Sequence, residues 1–245
     1  MYSKDLYFIL IILGGLGLAW VLVRYILKRR LTNIEVNGAE IIQNITALQS
    51  NLISSTFIRI NALYSNIIRD LAVQDYQLLQ KNEKKLKTLN ADIEILRNAI
   101  FKEIIANSDD KKVNSFYVLT IENMEDMVLT LSQILKISKS HIYKNRKKLT
   151  FNQIKDLKII DEKSSHLLHQ IEINFSEQNL QNFEARCEEC DNLLILMNDM
   201  LSKHIERIKS TDYNPKNFKL YTKFLRKSIN LIKQLNDILV RLKEA

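Results

Sequence analysis

The stretch from Leu6 to Val23, LYFILIILGGLGLAWVLV, limits the chain most, because its 18 residues include no charge and no Asn, Gln, Ser or Thr. That length matches the roughly 20 apolar residues that cross a hydrocarbon core of about 30 Å. Tyr25, Ile26 and Leu27 extend the run, and Arg24 can snorkel to the interface. It predicts one membrane helix, and no later stretch offers a comparable window, because polar residues interrupt every other apolar run within a turn or two. Arg24, Lys28, Arg29 and Arg30 crowd its carboxyl side, whereas Lys4 and Asp5 balance on the amino side. The positive-inside rule therefore sends the rest of the chain to the cytoplasm. A cleaved signal peptide would carry its charge ahead of the apolar run and a small-x-small site behind it, and the sequence has neither. Gly15 and Ala19 form a small-xxx-small pair that could seat another membrane helix.

Beyond this run, a single proline, one remaining glycine (Gly38) and an excess of Leu, Ile, Lys, Glu, Asn and Gln describe long helices with short connections. The net charge of +8 favours polyanionic contacts: lipid head groups, nucleic acid or phosphate-bearing ligands. Lipid is the simplest of these for a chain held at a membrane face. Nucleic acid is not expected, since no reading module or interleaved aromatic pattern accompanies the bases. Two cysteines, Cys187 and Cys190, in a cytoplasmic domain do not predict a disulfide.

Apolar spacing predicts six helices. The first runs from Asn33 to about Leu71, with Ile34, Ile41, Ile45, Leu48, Leu52, Ile60, Leu63 and Ile67 on its stripe. The second carries Leu78, Leu79, Leu86, Leu89, Ile93, Leu96 and Ile100 and ends before the polar turn Asn107-Ser-Asp-Asp-Lys-Lys. The third covers about Val113 to Tyr143. A basic connection, Lys144, Arg146, Lys147 and Lys148, then leads to Thr150, which with Gln153 spells a capping box for a fourth helix, Phe151 to about Phe175. The fifth spans about Asn179 to Lys209, and Asn214-Pro215 opens the sixth. The organisation expected is an anchor with a basic flank over 1–30 and an all-α, six-helix domain over 31–245. Short connections make sequential helices antiparallel neighbours, which yields two three-helix bundles, 31–143 and 150–245.

Six helices as two trios directly after a membrane helix resemble the PhoU-like cytoplasmic domain of bacterial inorganic phosphate transporters. The patch His141-Ile-Tyr-Lys-Asn145 with Leu149-Thr150 looks like that family's stretch at the end of its third helix. The patch His204-Ile-Glu-Arg-Ile-Lys209 with Leu220-Tyr221 looks like its corner between the fifth and sixth helices. The resemblance implies an accessory or regulatory component of phosphate transport at the inner membrane of a bacterium, single-pass, with a cytoplasmic carboxyl-terminal domain. Such a transporter needs many membrane helices, so transport itself falls to a partner: a multi-span phosphate permease or a signalling protein. A detached transporter tail and a homo-oligomer are further expectations. The alternative is a membrane-anchored helical scaffold unrelated to phosphate.

The family's acidic E/D-x-x-x-D motif is matched by Glu122-Asn-Met-Glu-Asp126 on the third helix, which implies a surface divalent or iron ion held by Glu122 and Asp126. The helical wheel puts both opposite the stripe Thr120, Met124, Met127, Leu131 and Leu135. The corresponding stretch of the sixth helix reads Lys223-Phe-Leu-Arg226-Lys227, bases in place of acids. His166-x-x-His169 and Cys187-x-x-Cys190 suggest a Cys2His2 zinc site by composition. The wheel separates them, with the cysteines on the core stripe and the histidines on the outer face. For anions or lipid the candidates are Lys28, Arg29, Arg30, His141, Lys144, Arg146, Lys147 and Lys148. No glycine-rich phosphate loop, nucleophile elbow or HExxH motif appears, so no enzyme is expected.

Overall fold

The computed structural model describes residues 38–106, 111–176, 183–207 and 214–244. They form six α-helices and, among the described residues, no strand: α1 (Gly38–Val73), α2 (Tyr76–Ala106), α3 (Lys111–Tyr143), α4 (Phe151–Ser176), α5 (Phe183–Glu206) and α6 (Pro215–Glu244). The expected membrane run Leu6–Val23 lies outside the described residues, as do Lys28, Arg29 and Arg30. Among the described residues no helix is long and apolar enough to cross a membrane. The described residues from 47 onward form one compact unit.

The helix ends follow from local chemistry. α1 stops at a Schellman turn: the Gln74 amide donates to the Leu71 carbonyl (3.2 Å) and the Asp75 amide to that of Asp70 (3.0 Å), with Gln74 at φ 60°. Asp75 then caps α2, its Oδ1 accepting the Leu78 amide at 2.9 Å. The same turn recurs after α3, where the Asn145 amide bonds to Ile142 O and the Arg146 amide to His141 O, with Asn145 at φ 47°. The Thr150–Gln153 capping box forms reciprocally, at 2.9 and 3.3 Å. Asn214 caps α6 through Oδ1, bonded to the amides of Lys216 and Asn217, with Pro215 at the first helical position.

Periodicity decides what each helix buries. On α2, Leu79, Leu86, Leu89, Ile93, Leu96 and Ile100 are buried, as the stripe requires, while Leu78, expected with them, is half-buried. On α6, Leu220, Phe224, Leu231, Leu235 and Ile238 point inward, while Lys219, Lys223, Arg226 and Lys233 are exposed. Fully burying each large apolar side chain contributes about 1.5–3 kcal/mol before entropy is counted.

α3 lies against both α2 and α6, and α5 against α6 and α4. α1 reaches α4 through the stacked rings of Phe57 and Phe175 (5.6 Å), and reaches α6 through Tyr64 Oη, which donates to Ser228 Oγ at 2.7 Å. The buried side chains of all six helices join in one apolar cluster. On α1, Ile60, Leu63 and Ile67 are buried as expected, whereas Leu52, expected on the same stripe, is exposed; Ile53, Phe57, Tyr64 and Leu71 join the core beside them.

Candidate functional site

The residues with the most specific polar chemistry gather at one end of the helices, where α1 passes to α2, α3 to α4 and α5 to α6. Along α1, residue 73 lies about 39 Å from residue 47 at a rise of about 1.5 Å per residue, so this end is the far end of the unit from its first residue. The basic run Lys144–Lys148 sits here.

His141 sits on the last turn of α3 and is buried, only 1% exposed. Its Nε2 lies 2.9 Å from the Lys147 carbonyl oxygen. A carbonyl only accepts, so Nε2 carries the hydrogen and Nδ1 is left bare; Nδ1 is buried and without a partner. Protonation would add a buried N–H with nothing to receive it. Burial accordingly pushes the His141 pKa below the ordinary histidine range, against the bond to Lys147, with the nearby Arg146 charge also lowering it. Expected as part of an anion-binding group, His141 faces inward and contributes no charge at neutral pH. Its work is to fasten the loop.

His204, on the last turn of α5, repeats this arrangement. It is 3% exposed, its Nε2 lies 3.4 Å from Phe218 O, and its buried Nδ1 has no partner. The ring stacks on Phe218 with centroids 4.4 Å apart and tilts against Tyr221 at the same distance. Burial again lowers its pKa. Beside it, Asp156 Oδ2 accepts from Tyr221 Oη at 3.0 Å and from Arg207 Nη1 at 3.2 Å. Burial, followed by the Asp156 charge, pushes the Tyr221 phenol far above its usual range. Asn217, buried in the first turn of α6, donates its side-chain amide to Lys148 O and ties this corner to the α3–α4 loop. The two sequence patches singled out for resemblance thus meet at one place.

Three consecutive loop carbonyls are held by side chains from different elements: Arg146 O by Gln74 (3.5 Å), Lys147 O by His141 and Lys148 O by Asn217. Leu149 is buried, whereas Lys144, Lys147 and Lys148 are exposed and Arg146 is half-buried. Among the described residues no carboxylate lies within ion-pair distance of these four cations.

Elsewhere, Glu122 and Asp126 are both exposed on α3, opposite the buried Thr120, Met124, Met127, Leu131 and Leu135. Among the described residues no group of three or more His, Cys, Asp or Glu side chains is arranged to hold a metal ion. Cys190 is buried and Cys187 half-buried; burial pushes the Cys190 thiol far up. His166 and His169 are exposed. His169 Nδ1 meets Glu172 at 3.0 Å, and His166 lies 4.0 Å from Glu189 across an open cleft of about 630 Å³ between α4 and α5.

The sequence reading missed the burial of both histidines and the Asp156–Tyr221–Arg207 cluster. The usable signal was that each histidine closes a helix just before a polar connection, where main-chain carbonyls turn inward. No model of a known protein family matches the chain, and a search among curated proteins finds no significant match.

Proposed function

We propose that the chain is a membrane-anchored, PhoU-like helical component of inorganic phosphate transport, with an accessory or regulatory role toward a multi-span permease. The observation that carries this reading is the convergence of its two PhoU-resembling patches. The segments His141 to Thr150 and His204 to Tyr221 lie far apart in sequence, yet Asn217 bonds to Lys148 O and each histidine is fixed to a carbonyl of its own corner. Both corners lie at one end of the helices, where the alternate connections of an up-and-down helical bundle fall. The uncharged run Leu6–Val23 supplies the anchor in this reading. The domain acts by packing against its partner, and no catalytic constellation is assigned to it.

The test is affinity capture of the intact chain from gently solubilised membranes, followed by identification of co-purifying multi-span proteins. The reading expects a phosphate permease, and expects loss of the chain to change phosphate uptake. Recovery of the chain with itself alone, together with unchanged uptake, would overturn it and leave an anchored scaffold.

A further inference from the structure

We infer that the α3–α4 turn is a docking surface for an anionic lipid interface, with Lys144, Arg146, Lys147 and Lys148 meeting head groups and Tyr143 and Phe151 entering the interfacial zone on either side. The inference stands apart from any role in phosphate transport.

Two observations point there together. The first is a preorganised excess of positive charge. The three carbonyls of residues 146 to 148 are tied down by Gln74, His141 and Asn217, and Leu149 is buried beneath them. The backbone is therefore fixed from within while the cations stand outside, and among the described residues none has a carboxylate at ion-pair distance. Unpaired like charges on one turn repel one another, a cost that an anionic surface removes.

The second is aromatic. Tyr143, the last residue of α3, is 72% exposed, and Phe151, the first of α4, is 80% exposed. The helix start does not require a phenyl group at that position, since the cap is made by Thr150 and Gln153. Soluble phosphate anions would use the cations and leave the Phe151 ring in water and the Tyr143 ring against that of Tyr76 (5.9 Å). A bilayer interface takes both, since aromatic side chains favour the head-group level and basic side chains its negative potential. A nucleic-acid strand is tracked by a basic groove several nucleotides long, whereas these cations are confined to one turn.

For the test, the full chain is carried in phosphatidylcholine nanodiscs, which occupy its apolar run, and mixed with vesicles of phosphatidylcholine alone or containing phosphatidylglycerol. Co-flotation is then measured. The wild type should float with the anionic vesicles only. Replacing Lys144, Arg146, Lys147 and Lys148 together by Gln should weaken that binding at least about a hundredfold. Phe151→Ser, which leaves every charge in place, should weaken it about tenfold. Lys28, Arg29 and Arg30 are intact in both variants, and unchanged thermal unfolding confirms that the fold survives. Equal flotation with both compositions, or an unaffected quadruple variant, would overturn the inference. An unaffected Phe151→Ser would overturn it as well, because simple attraction of counter-charges does not need the ring. Binding of single-stranded RNA without any vesicle binding would assign the surface to nucleic acid instead.

Discussion

The imidazole of His204 lies face to face with the ring of Phe218, centroids 4.4 Å apart, while its Nε2 addresses the carbonyl of that same residue. His141 makes the equivalent main-chain bond at the end of α3. Both rings are neutral, and each leaves a buried Nδ1 that has no acceptor to offer a second proton. Their pKa values are depressed in the folded state, so the unfolded chain binds protons first as the pH falls. Stability is complete above the unfolded histidine pKa of about 6.5 and declines as the pH drops through the folded values, by at most about 1.4 kcal/mol per pH unit for each ring. Urea unfolding midpoints measured between neutral and mildly acidic pH should fall accordingly. A His141→Gln, His204→Gln double variant should flatten that slope.

The tyrosines give the opposite sign at the other end of the scale. Burial raises the phenols of Tyr64, Tyr117 and Tyr221 above their ordinary range. Their contribution is fully present below the unfolded pKa of about 10 and is lost as the pH rises beyond it. Unfolding midpoints should hold level from just above neutrality to about pH 8.5, begin to fall there as the buried Cys190 thiol contributes in the same sense, and drop further beyond about pH 10. Tyr221→Phe should soften the alkaline drop while costing about 1 kcal/mol at neutral pH.

How much of this was legible beforehand varies with the distance over which the information acts. The stripe Leu86, Leu89, Ile93, Leu96, Ile100 is a local pattern on a helix buried along one side, and it held residue by residue. The same is true of the Thr150–Gln153 box and of Pro215 at the start of α6. α1 was harder to read, because it packs on α2, α4 and α6 at once and therefore buries a broad face. Tyr64 and Thr56 go inside with Ile53 and Phe57, and Leu52 is left at the edge. The histidines were harder still. Their burial depends on carbonyls of Lys147 and Phe218 that the chain turns toward them only after it has passed through a loop.

Gln74 tests the cost of a local compromise. It holds the left-handed position of the α1–α2 turn at φ 60°, where a side chain is penalised, and its amide reaches Arg146 O only at 3.5 Å. Gln74→Gly should raise stability by about 0.5–1 kcal/mol in a denaturant titration. Asn145→Gly, at the matching turn after α3, should gain less, since Asn tolerates this conformation better. A net loss for Gln74→Gly would mean that the tie to Arg146 O outweighs the strain.

Asp156 carries the sharpest expectation for the corner, because a single oxygen, Oδ2, receives both Tyr221 Oη and Arg207 Nη1. Removing it by Asp156→Ala leaves the hydroxyl of the fully buried Tyr221 without its acceptor, and should cost about 2–3 kcal/mol. Tyr221→Phe removes donor and demand together and should cost only about 1 kcal/mol. In the Asp156→Ala background Tyr221→Phe should then be close to neutral, since the hydroxyl it deletes no longer has that partner. A double-mutant cycle read from unfolding midpoints would show a coupling of about 1 kcal/mol or more between the two side chains. Additive effects would mean that the phenol finds another acceptor when Asp156 is gone, and that the α4–α6 contact at this corner rests on its apolar packing.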